Sequence, residues 1–310
     1  MQSTHVQIQQ DFNLPPQEIK HFLQKVAPKL KKVYRKELRS ILHQFDTLGM
    51  DRITQQKILM TMPRLITFPN AKLEHSISFF QTDLCMTNSE VIQMIRQHPN
   101  ILTHSINGKL KPLTQYFVDF GIAPSRWKKM LVRYPKITTV PIGKLGTRAK
   151  FLESALGLKG QLDISYVITG FPPTLWLGEE NIMNKVYVLC RELELEEDDL
   201  RNIMVTYPNI LGYSIENNIL PKFQFLLGDF KPNSGTDVAM DQAMMGETCI
   251  GAGMTRQELK EFVLYQPSLL GYSLENRIRP RIAQMQQLSI RFPYAPLYLM
   301  SLTDVKFRKW

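Results

Sequence analysis

Four basic residues, Arg148, Lys185, Lys222 and Arg281, follow four prolines (Pro135, Pro172, Pro208 and Pro267) at nearly one spacing. Four positions ahead of them stand Lys144, Asn181, Asn218 and Arg277, and Lys72 and Lys109 hold that same place ahead of Ser76 and Leu113. On a continuous helix, residues i and i+4 share a face, so Lys144/Arg148 and Arg277/Arg281 read as stacked cations. One cation per structural unit would draw a line of positive charge, which suits a polyphosphate: duplex DNA carries one negative charge per ~1.7 Å of its axis. Arg148, Lys185, Lys222, Arg281, Lys72, Lys109, Lys144 and Arg277 are therefore the candidate nucleic-acid contacts. The competing reading is a solvated flank, where Lys and Arg stems lie on apolar surface with their heads in water. Tyr213, Tyr272 and Trp176 could stack on bases, but elbow packing is the more ordinary role for them.

Other chemistry finds little support. Gly246-Glu-Thr-Cys-Ile-Gly-Ala-Gly253 is glycine-rich, yet lacks the Lys-Ser/Thr of a phosphate loop. Ser125-Arg-Trp-Lys128 matches S-x-x-K without its partner motifs. All six histidines lie at or before His104 with no metal-ligand spacing, and His98 and His104 bracket one proline motif. Cys85, Cys190 and Cys249 form neither a CxxC pair nor a disulfide framework. The expectation is a protein with no catalytic residues, no metal and no cofactor.

The 310 residues, 44% hydrophobic and 21% charged, can bury a core, and no run approaches the ~18 apolar residues of a membrane span. The net charge of +10 points to a polyanionic partner. It is unevenly spread. Residues 121–150 hold eight Lys/Arg and no acid, Lys20–Arg39 eight against one, residues 276–310 seven against one, and Glu192–Asp199 carries six acids. That acidic stretch reads as a solvated loop and helix N-terminus.

What must position these residues is a repeat. Pro28, Pro63, Pro99, Pro135, Pro172, Pro208 and Pro267 are separated by 35, 36, 36, 37, 36 and 59 residues. A period near 36 marks a helical solenoid, the last interval holding an insertion near residues 229–253. Before each proline an i, i+3, i+4 stripe predicts a helix, as in Val91/Met94/Ile95 and Leu259/Phe262/Val263. Proline ends it, because the residue ahead is disfavoured in the α region. A Pro-x-(Ile/Leu) elbow with a short 3₁₀ turn follows, then Ser105, Ser214 or Ser273 as N-cap, then a second helix with inner stripes such as Leu145/Ala149/Leu152. Pro112, Pro221 and Pro280 early in the second helix predict a kink or a late start. The expected fold is an all-α helical-repeat solenoid of about seven units. It has a helical extension at 1–27, the array at 28–310 and a cap near 297–310.

Two strings, Tyr207-Pro-Asn-Ile-Leu-Gly-Tyr-Ser-Ile-Glu-Asn-Asn-Ile-Leu-Pro-Lys-Phe-Gln-Phe-Leu226 and Gln266-Pro-Ser-Leu-Leu-Gly-Tyr-Ser-Leu-Glu-Asn-Arg-Ile-Arg-Pro-Arg281, resemble the repeat of the mitochondrial transcription termination factor (mTERF) family. Leu302-Thr-Asp-Val-Lys-Phe307 is similar to the family's closing segment. The resemblance spans roughly residues 28–310. It implies a superhelix of left-handed helical triplets whose concave basic face holds nucleic acid. The implied function is non-enzymatic: regulation of organelle transcription, such as termination, on double-stranded DNA. Organelle RNA binding in intron splicing or ribosome biogenesis is the alternative, and a protein-interaction solenoid the third reading. The expected molecule is a monomer in a mitochondrion or plastid, with no membrane or small-molecule partner and with room for a protein partner. The N-terminus, with Asp11 and Glu18 ahead of the first arginine, Arg35, does not read as a transit peptide.

Overall fold

A computed structural model describes residues 34–228, 251–288 and 301–309. The expected extension at 1–27, most of the 229–253 insertion, and residues 297–300 and 310 of the cap lie outside the described residues. The chain divides into two compact units, residues 1–145 and 146–310. Among the described residues the fold is all-α, and six proline elbows are in place.

Each repeat is a leading helix, a 3₁₀ elbow and a trailing helix. In the first unit the leading helices are Arg52–Thr61, Asn88–Gln97 and Pro124–Arg133. In the second they are Gly160–Gly170, Glu197–Thr206 and Arg256–Tyr265. The residue before each proline sits at φ between −134° and −148° and ψ between 64° and 77°, outside the α region, as the proline ring requires. Two turn hydrogen bonds recur at five of the six described elbows, as in Ile101 N→His98 O and His104 N→Ile101 O, and at Pro172 the second shifts to Trp176 N→Pro173 O. The second residue after the proline is buried in every elbow, as with Leu65, Ile101, Ile137, Thr174, Ile210 and Leu269.

The trailing helices come in two kinds. Asn70–Thr82, Ile142–Ala155 and Glu179–Leu193 are continuous α-helices. The other three open on a π turn, Ile106–Leu110, Ile215–Ile219 and Leu274–Ile278, before continuing as α-helix from Lys111, Leu220 and Arg279. These are the repeats carrying Pro112, Pro221 and Pro280, and each has one more residue between elbow and helix body than its neighbours. A proline donates no hydrogen bond and crowds the carbonyl four residues back, and a widened turn takes up both the ring and the extra residue. The expected kink is thus a π turn. Ser105, Ser214 and Ser273 cap these turns by accepting from the backbone N–H three residues on.

The stripes face inward as their spacing predicts. Leu73, Ile77 and Phe80; Leu145, Ala149 and Leu152; Ile278, Ile282 and Met285 are all buried. Thr114 is half-buried and accepts from Trp127 Nε1 at 3.0 Å, a polar contact between a trailing helix and the next leading helix.

Candidate nucleic-acid interface

The column of four cations expected to grip phosphates is interior. Arg148, Lys185, Lys222 and Arg281 are 9%, 7%, 2% and 2% exposed, and the uncharged members of the column, Ser76 and Leu113, are buried too. The register explains it: Arg148 lies three residues after Leu145 and four before Leu152, within the apolar stripe. Ser76, Arg148, Lys222 and Arg281 tie one repeat to the segment that follows, and Lys185 bonds within its own helix. Ser76 Oγ donates to Leu102 O at 3.2 Å. Arg148 Nε donates to Thr174 O at 2.7 Å and Nη2 to Leu177 O at 2.5 Å. Lys222 Nζ donates to Leu270 O and Asn218 Oδ1, both at 2.6 Å. Arg281 Nη2 donates to Leu302 O at 2.8 Å and stacks its guanidinium on Phe307. Lys185 Nζ donates to Asn181 Oδ1 at 2.6 Å.

Charge this deep is costly unless every donor finds an acceptor. Burial pulls the Lys222 ammonium down to about 8 and lowers Lys185 as well. Asn218 and Asn181, one turn earlier, give each ammonium a neutral acceptor. Burial also lowers Arg148, with Glu179 pushing the other way across 3.5 Å. The reading of these four as phosphate contacts is corrected here. A phosphate would have to compete with the carbonyls and rings that hold them.

The column four residues earlier behaves differently. Lys72 and Lys144 are exposed and Lys109 is half-buried, and none of the three forms an ion pair among the described residues. Arg277 is half-buried and lies over the Tyr272 ring at 4.5 Å. In the first unit Arg64 and Lys136, on the residue after the elbow proline, are exposed as well. Arg64 Nη2 donates to Asn100 Oδ1 at 2.7 Å, linking two successive elbows. From the residue before each proline to its lysine, the segments 62–72, 98–109 and 134–144 hold five cations and no acid.

The second unit lacks this edge. Its matching segments, 171–181, 207–218 and 266–277, hold one cation, Arg277, and four acids, Glu179, Glu180, Glu216 and Glu275. Its elbows are closed by rings instead. Tyr207 Oη and Tyr213 Oη are 2.5 Å apart, and the Tyr207 phenol is raised by burial and this bond. A methyl group on Gly271 would lie 2.3 Å from Tyr207 Oη, and one on Gly212 would lie 2.7 Å from the Phe171 ring. Tyr213, Tyr272 and Trp176 are half-buried parts of this packing.

The remaining motifs have structural roles. Lys128 of Ser125-x-x-Lys128 donates to Cys85 O at 3.0 Å and pairs with Glu90 at 3.2 Å. The acidic stretch opens the helix Glu197–Thr206, where carboxylates favour the positive end of the helix dipole. Asp198 pairs with Lys159 at 2.5 Å, and Asp199 with Lys260 at 2.6 Å. Beside them Asp163, 5% exposed, takes two hydrogen bonds from Arg201, which hold its carboxyl below the usual range. Among the described residues no group of three His, Cys, Asp or Glu is placed to hold a metal, and no helix is long and apolar enough to cross a membrane.

Repeats of this build match a family model described as mTERF over residues 3–158 and 117–233. The chain belongs to the mTERF family. It is 20% identical over 234 residues to the chloroplastic transcription termination factor MTERF8 of Arabidopsis thaliana, covering 75% of this chain and 40% of that protein. In this mTERF chain the sequence reading missed Arg64 and Lys136. The signal was present: both directly follow an elbow proline, in segments without acids.

Proposed function

We propose that this mTERF protein is a non-enzymatic, nucleic-acid-binding regulator of organelle gene expression that acts on transcription by gripping duplex DNA. The observation that carries the reading is the acid-free row of Arg64, Lys72, Lys109, Lys136 and Lys144 on the first unit. Phosphate contacts of this kind supply affinity and register but no sequence information. The name of the MTERF8 relative supports termination as the step, and its chloroplast address supports an organelle.

Salt dependence tests it. On duplex DNA, log K falls with log salt at about −0.9 per phosphate contact. The triple variant K72A/K109A/K144A is expected to flatten that slope by roughly two to three units and to melt like the parent. An unchanged slope overturns the proposed edge. Stronger binding to a single-stranded RNA of equal length would move the function to RNA.

A further inference from the structure

The second elbow of the first unit holds two imidazoles that the grip on phosphates has not used. His98 precedes Pro99 and His104 closes the 3₁₀ turn, with ring centroids 6.3 Å apart and planes inclined at 37°. Tyr207 and Tyr213 occupy the same two positions around Pro208 in the second unit, at 6.3 Å and 38°. There the two hydroxyls satisfy each other at 2.5 Å. Here each imidazole buries its Nε2 with no hydrogen-bond partner among the described residues. A buried polar nitrogen without a partner is costly, because it has given up its hydrogen bonds to water. The same geometry is closed on itself in one repeat and left open in the other.

The surroundings select the missing partner. Arg64 reaches in from the preceding elbow, Lys109 from the trailing helix and Lys136 from the following elbow, and each is close enough to disfavour a charged imidazole. The three elbows contain no Asp or Glu. This is a place for an anion and not for a metal cation. Both rings are half-buried, and the χ2 torsion of histidine is broad, so a nitrogen can turn to an anion at the surface.

We propose that His98 and His104 together receive one backbone phosphate of the bound nucleic acid, and that the site takes up protons as it fills. This rests on the nucleic-acid reading above. With no anion present, burial disfavours the charged form of both imidazoles, bringing His104 to about 4 and lowering His98. A phosphate against them favours the protonated form and raises both. Between the free and bound values binding takes up protons, so affinity falls as pH rises. The limit is about tenfold per pH unit for each imidazole.

The test measures binding of a mixed-sequence DNA duplex at fixed ionic strength from about pH 5 to pH 8. The parent and an H98Q/H104Q variant are compared, alongside NMR titration of the two imidazoles in the parent with and without duplex. The expected result is affinity that weakens with pH in the parent, a flatter profile in the variant, and both imidazole titrations moved upward by duplex. Should the variant not fold, the parent's NMR titration decides alone. Duplex bound with unmoved imidazoles overturns this site and leaves the nucleic-acid function standing. Failure to bind duplex or single-stranded RNA at any pH overturns both. Equal shifts with inorganic phosphate alone overturn the assignment to backbone phosphate.

Discussion

The elbows of the first unit and those of the second are built on one backbone plan and finished in opposite ways. Around Pro208 and Pro267 side chains engage one another: phenol on phenol, ring on glycine, and Arg279 Nη2 donating to Glu275 Oε1 at 3.3 Å. Around Pro63, Pro99 and Pro135, Lys72, Lys109 and Lys144 form no ion pair, and His98 Nε2 and His104 Nε2 have no hydrogen-bond partner, among the described residues. The difference teaches where to look for a partner in a repeat protein. Where register and geometry repeat, the informative repeat is the one whose polar groups are not used up internally.

That contrast can be broken by substitution. The largest effect is expected on the closed side. Lys222→Ala removes the donor to Leu270 O and empties a packed site, and should cost about 3 kcal/mol in urea unfolding. The same change at exposed Lys72 should stay within about 0.5 kcal/mol. If the two cost the same, the distinction between tying and gripping cations fails. The Lys222 contribution also has a pH signature. Its folded value, about 8, lies below the ordinary 10.5, so the unfolded chain binds more protons between those values. Stability relative to K222M should therefore rise as pH climbs through that window.

Next in size, Gly271→Ala drives a methyl into Tyr207 Oη and should destabilise by about 2 kcal/mol in a thermal melt. Gly143→Ala meets nothing within 4 Å in the helix Ile142–Ala155 and should stabilise by up to about 1 kcal/mol. Equal signs would show that the ring-on-glycine seats carry no weight. The smallest effect sharpens what the elbows share: Ser105→Ala and Ser214→Ala remove equivalent N-caps, one per unit, and each should cost about 1 kcal/mol.

Much of the fold was legible because helices and elbows are local. The i, i+3, i+4 stripes, the pre-proline stop and the serine caps all follow from neighbours a few residues apart, and the structure places them accordingly. The π turns were half legible. Pro112, Pro221 and Pro280 marked the place, and the one extra residue in those repeats was available in the spacing. The site was read less well. By charge Arg148 and Lys222 read as surface cations, but register decides otherwise: Leu145/Arg148/Ala149/Leu152 is an unbroken inward stripe. Ser76 and Leu113 in the same column pointed the same way.

The sequence by itself determined the repeat, its elements, the inward faces and the excess of cations over acids in the first three elbow segments. All of these depend on residue type and short spacing. Register marks which cations face inward; which acceptors hold them there was decided by the tertiary structure alone. The segment that follows covers one column with its carbonyls and leaves the other open. A buried ammonium finds its acceptor dozens of residues away, as Lys222 does at Leu270. No local pattern carries that pairing, since it exists only once the repeats are stacked.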